Sequence, residues 1–177
     1  MMKKLFFMIA AVLVCAASAW ALSPDELQGK WVSNSVSNTD EASGMGMQAS
    51  VELKFNGESV DMKTMTNITM DMQAVKLYIY NEVTGKGAYT VAGDSITVSL
   101  DPATLQFKCT EDDIRITGVD DPAKQAQMKE QMAAGMQQNA AGMKESMAEP
   151  TVFNNVLILG KKMTCINDGM MLTFKKK

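Results

Sequence analysis

From Met47 to Phe55 the chain alternates without a break: Met47, Ala49, Val51, Leu53 and Phe55 take one side, Gln48, Ser50, Glu52 and Lys54 the other. A period of two puts successive side chains on opposite faces of an extended strand, so this stretch predicts a strand with one face buried. Asn56-Gly57 follows, a strong hairpin signal. The next run, Ser59 to Met72, keeps the same period. Val60, Met62, Ile68, Met70 and Met72 share a side with Thr64 and Thr66, opposite Asp61, Lys63, Asn67 and Asp71. Two such runs around a tight turn predict a hairpin.

The pattern continues along most of the chain. Val75 to Tyr80 reads as a third strand, and Gly85 and Gly87 then interrupt a pattern that resumes over Ala88 to Ala92. Paired glycines inside a strand pattern predict a bulge or sharp bend. Further strands are expected over Ser95 to Leu100, around Leu105, Phe107 and Cys109, and over Ile114 to Thr117. After a helical interval come Thr151 to Leu159, Met163 to Ile166 and Met170 to Phe174. Short strands joined by turns favour a sandwich or an up-and-down barrel, and closure would hide the edges of so much strand. The interval, about 121–148, predicts one inserted α-helix. Asp121 is its N-cap, Pro122 its first residue and Pro150 its stop. Gly135 and Gly142 weaken it by about 1 kcal/mol each relative to alanine and mark places where it could bend.

Residues 1–21 read as a signal peptide, with Lys3 and Lys4 before the apolar run Leu5 to Val14 and small residues at Ala19-Trp20-Ala21. That run is short of the about 20 residues a membrane span needs, so no transmembrane segment is expected. Acylation at Cys15 is the lesser alternative, because Val14 stands where a small residue is normal. Export to periplasm or medium is therefore expected, with residues 22–177 forming a single β-domain. The chain has 17 basic and 20 acidic residues, and losing Lys3 and Lys4 makes it more acidic. Such a surface repels phosphate backbones and argues against nucleic-acid binding. In an oxidising compartment Cys109 and Cys165 are expected to form a disulfide. Closing a loop of roughly 55 residues would be worth ~4 kcal/mol. The alternative is two buried thiols on unconnected strands.

The chain contains no histidine, so Ser-His-Asp and Cys-His catalysis are excluded and the usual partner of copper, zinc or nickel is missing. Asp112-Asp113 and Asp120-Asp121 fall in turns, where acidic residues are common. No enzyme activity, cofactor or metal is expected. The 17 methionines are the oddest compositional feature. On the helix, Met128, Met132, Met136, Met143 and Met147 fall in one stripe roughly 100° wide, suited to packing on the barrel or capping its mouth. Unbranched thioethers conform to varied apolar ligands. Cu(I) binding by pairs such as Met45/Met47 and Met70/Met72 is a minor alternative, since their shared side is simply the apolar one.

Gly29-Lys30-Trp31, eight residues beyond the signal, resembles the opening Gly-x-Trp strand of the lipocalin-like (calycin) group. The resemblance runs loosely over the rest of the chain, to Met171-Leu172-Thr173-Phe174-Lys175. It implies an antiparallel up-and-down barrel whose closed end is plugged by Trp31 under a basic side chain, for which Arg115 and Lys175 are the candidates. It also implies a helix after the eighth strand, whereas the periodicity here puts the helix before the last strands. The resulting expectation is a mainly β, lipocalin-like barrel that binds a small apolar or amphipathic ligand. Val51, Leu53, Met62, Ile68 and Met70 would line its cavity, with Met132 and Met136 on a lid. The different-class alternative is a structural or interaction protein of the cell envelope with a filled barrel. No protein partner can be named from the sequence.

Overall fold

The computed structural model describes residues 22–40, 44–72 and 74–177. The signal-peptide and Cys15 expectations lie outside them. The described residues form eleven strands: β1 (Gly29–Ser33), β2 (Val36–Asp40), β3 (Met45–Asn56), β4 (Ser59–Met72), β5 (Val75–Ala92), β6 (Ser95–Leu100), β7 (Gln106–Lys108), β8 (Ile114–Thr117), β9 (Thr151–Leu159), β10 (Lys162–Asn167) and β11 (Met170–Lys176), of which β2 was not expected from the sequence. A short helix α1 (Pro24–Leu27) precedes them, and a long helix α2 (Pro122–Ala148) separates β8 from β9.

Every pairing is antiparallel. The order β1-β11-β10-β9-β6-β5-β4-β3 returns on itself where β3 pairs with β1, giving a closed eight-stranded barrel with α2 outside it. The helix is thus an insertion between the fifth and sixth barrel strands. It runs unbroken through Gly135 and Gly142, and the Asp121 carboxylate caps it by accepting from the Ala123 and Lys124 amides at 2.9 and 3.3 Å.

The barrel is closed along only part of its longest strands. β1 pairs with both β11 and β3, whereas β2, continuing past Asn34, pairs with β3 alone. On the other side, β5 pairs with β6 over Gly87–Ala92, then with β7 and β8 farther along. Beyond the closed base, β3, β4 and β5 therefore continue as an open sheet flanked by β2 and β8. The apolar residues divide accordingly. One cluster fills the base around Trp31, Leu53, Phe55, Val98 and Phe174. The other joins Leu77, Ile79, Cys109, Ile114 and Ile116 to Met128, Met132 and Met136 of α2. We call this second region the annex.

Gly85 and Gly87 do not interrupt β5, which is one strand of 18 residues. The irregularity lies in the segment that follows β6. After Leu100 it leaves the sheet through a single 3-10 turn at Pro102–Thr104 before rejoining β5 as β7. Thr104 is tied to Lys86, its hydroxyl accepting from the Lys86 amide at 2.8 Å and donating to the Lys86 carbonyl at 3.0 Å. A Cβ at Gly87 would lie 2.0 Å from the Ser99 carbonyl oxygen, and one at Gly85 would lie 2.6 Å from a Leu105 methyl. Glycine here admits a close crossing. The β3–β4 turn also differs in detail: Asn56 still pairs with Ser59, so the loop is Gly57-Glu58, with Gly57 at φ +60°.

The expected disulfide is not formed. Cys109 and Cys165 are free and buried, one in the annex and one in the base. β10 belongs to the closed wall and Cys109 to the inserted segment, so the two thiols face different cores. Among the described residues no helix is long and apolar enough to cross a membrane.

Candidate functional site

The inner face can be read row by row from the register of β3, β4 and β5. Phe55, Val60 and Gly87 form the lowest row, then Leu53, Met62 and Gly85, then Val51, Thr64 and Val83. Above these come Ala49, Thr66 and Asn81, then Met47, Ile68 and Ile79, and last Met45, Met70 and Leu77. Apolar side chains dominate both ends, and a band of threonine and asparagine crosses the middle.

The base is filled and sealed. Trp31 has no solvent exposure, and its indole N–H donates to the Leu27 carbonyl at 2.6 Å. Ser23 and Glu26 form a capping box that holds α1, and so Leu27, in place. Gln28 extends the seal, donating to the Gly57 carbonyl and to the Tyr89 hydroxyl at 3.2 and 3.0 Å. Lys176, neither of the two expected candidates, places its ammonium 5.0 Å from the centre of the Trp31 ring. Lys175 is the adjacent residue on β11, and Arg115 instead lies 5.6 Å from the Tyr78 ring.

Between base and helix lies a hollow of about 690 Å³. Its floor and near wall are Val51, Met62, Thr64, Thr66 and Val83 of the long strands. Asn139, Gly142, Met143, Ser146 and Met147 of α2 face them, at helix positions three and four apart that share one side. Thr151, Asn167 and Asp168 complete the far wall. Asp168 sits in the β10–β11 turn at φ +48°, and the Asn167 side chain donates to the Val152 carbonyl at 3.1 Å. Gly142 leaves space: a Cβ there would meet nothing within 4 Å.

Several charged residues of the same strands face outward. Lys63 pairs with Glu82 and Lys30 with Glu52, the latter at 2.8 Å. The hydrogen bond from Lys63 holds the Glu82 carboxyl below the usual range, and the Tyr80 hydroxyl also donates to it at 3.1 Å. The hollow itself offers hydroxyls, amides, thioethers and apolar surface, with Asp168 the one carboxylate among its lining residues.

The expected site residues fall into three places. Val51 and Met62 line the hollow; Leu53 is fully buried in the base; Ile68, Met70, Met132 and Met136 pack into the annex. Thr64, Thr66 and Val83 were not among them, although the two threonines share the side of Met62 in the sequence and Val83 lies on a strand that the glycines disguise. Met143 and Met147 of the helical stripe reach the hollow, while Met128, Met132 and Met136 cover the annex.

A closed eight-stranded antiparallel barrel, sealed at one end by a buried tryptophan and hollow toward the other, is the architecture of calycin-type proteins. A family model described as lipocalin-like matches residues 23–117, more than half of the chain, and the chain belongs to that family. The match runs from α1 through β8 and ends before the helix. No curated protein matches the chain.

Proposed function

We propose that this protein is an exported, non-enzymatic carrier of a small amphipathic molecule held between the barrel and α2. The observation that carries the reading is the unfilled space of about 690 Å³ above a solidly packed base. Its size falls in the range of small-molecule sites, which are commonly apolar with a few placed polar groups. The lipocalin-like barrel is a small-ligand-binding fold, which adds to this support. Export rests on the charged and apolar pattern of residues 1–21.

The test is titration with an environment-sensitive apolar dye, N-phenyl-1-naphthylamine, against wild type and Thr64→Phe. The substitution adds a ring to the hollow and leaves the base untouched. Micromolar dye binding that falls at least tenfold in the variant, with an unchanged melting temperature, is the expected result. Equal binding in both proteins would remove the hollow as the site. The second reading, an interaction protein of the envelope, draws on the outer face of β9–β11. There Leu159 and Met171 are 68% and 75% exposed. Absence of dye binding together with concentration-dependent self-association would favour it.

A further inference from the structure

We infer that Asn81 is the polar anchor of the bound molecule, and that this molecule carries one uncharged head group, an alcohol or a carboxamide, on an apolar body. The inference rests on the carrier reading and specifies its ligand.

Asn81 is 1% exposed, and neither its Nδ2 nor its Oδ1 has a hydrogen-bond partner among the described residues. Buried side-chain amides are normally paired, because an unpaired one forfeits the hydrogen bonds it made with water. This one stands on the inner face of β5 between Ile79 and Val83, directly across from Thr66. Thr66 and Val83 both line the hollow, so the amide lies one position along the same face. Its neighbour two strands away is the small Ala49.

A carboxamide presents an NH2 donor group and a carbonyl acceptor side by side. A hydroxyl or a second carboxamide satisfies both; a hydrocarbon satisfies neither. A carboxylate only accepts, and it would need a cation, yet Lys63 on these strands is engaged with Glu82 outside the hollow. An ammonium only donates and would leave Nδ2 unpaired. Val51, Met62, Val83, Met143 and Met147 supply the surface for the apolar body. The amide is covered and adjoins the hollow at Thr66, so the head group enters by displacing side chains there; the hollow's Met143 and Met147 are unbranched and adaptable.

The test compares 1-decanol, decane and decanoate at pH 8 as displacers of N-phenyl-1-naphthylamine from wild type and Asn81→Leu. In wild type, decanol displaces the dye at a concentration at least tenfold below decane and below decanoate. In Asn81→Leu the preference for decanol over decane vanishes, and the melting temperature rises because an unpartnered amide has gone. Equal displacement by decanol and decane in wild type overturns the assignment, as does a variant that keeps the preference or melts lower. The wild-type series decides alone if the variant does not fold. Failure of wild type to bind the dye or any of the three overturns the carrier reading, and the anchor with it.

Discussion

At their closed ends β3, β4 and β5 belong to a ring of eight strands; at their far ends the same three strands form an open sheet under a helix. The base buries Trp31, Leu53 and Phe174 completely and is joined on both sides by hydrogen-bonded strands. The annex buries Leu77, Ile79 and Ile114 under Met128, Met132 and Met136 of a helix outside the barrel. α2 is fastened there by side-chain bonds such as Gln137 to the Cys109 carbonyl at 3.2 Å and Gln125 to the Val119 carbonyl at 2.6 Å. Closure satisfies backbone edges and holds side chains from all around, whereas a helical cover protects apolar surface with few ties to the sheet. Regions of the second kind open at lower free energy than the core they adjoin. The hollow lies at this border, between the closed wall and the helical cover.

The largest expected effect is at the base. Trp31→Ala removes the plug and the 2.6 Å bond to Leu27, and should cost about 3–5 kcal/mol in urea unfolding. Ile114→Ala in the annex should cost less, about 2–3 kcal/mol, and leave Trp31 fluorescence at its native wavelength. An equal cost with a shifted emission would mean that the two regions unfold as one and would break the comparison.

Thiol labelling sharpens it. Burial pushes the Cys165 thiol up to about 12 from the ordinary 9.0, and burial with the nearby Asp113 charge raises Cys109 as well. Neither reacts readily as folded at pH 8, so iodoacetamide reports opening. Mass analysis should find two free thiols, with Cys109 modified at least tenfold faster than Cys165. Because both thiols ionise more easily unfolded, their contribution to stability should decline as the pH rises above about 9 toward 12. The smallest effect is a gain. Gly135→Ala places a methyl where nothing lies within 4 Å and should stabilise α2 by about 0.5–1 kcal/mol without altering dye affinity.

Much of the ring was legible because alternation states which side of a strand is buried. β4, β6 and β9 lie where the period put them, as does β8 of the annex, and Asp121-Pro122 marks the start of α2. Alternation does not state how far along a strand its neighbour continues. Ile68 and Met62 share a face and a pattern, yet one lies in the annex and the other at the hollow. The same silence hid the continuity of β5, since Gly85 and Gly87 admit the close approach of residues 99–105. The separation of Cys109 from Cys165 follows from which wall each belongs to, which spacing cannot supply. α1 was missed although Ser23 and Glu26 carried its capping signal, because four residues are too few to show a period. Asn81 had no signal in one dimension: its isolation is a property of its neighbours.

The two seams that close the ring have a consequence for how the molecule assembles. β3, β4 and β5 meet through tight local turns, but β6 reaches β9 only across the whole inserted segment, and β1 reaches β11 from the far end of the described chain. Local hairpins form in microseconds, while contacts distant in sequence set the pace of folding. Until those late partners arrive, Ile96, Val98 and Trp31 stand on raw strand borders that another copy could grasp. The slow, vulnerable interval in the life of this chain is therefore the wait for residues 151–176 to dock.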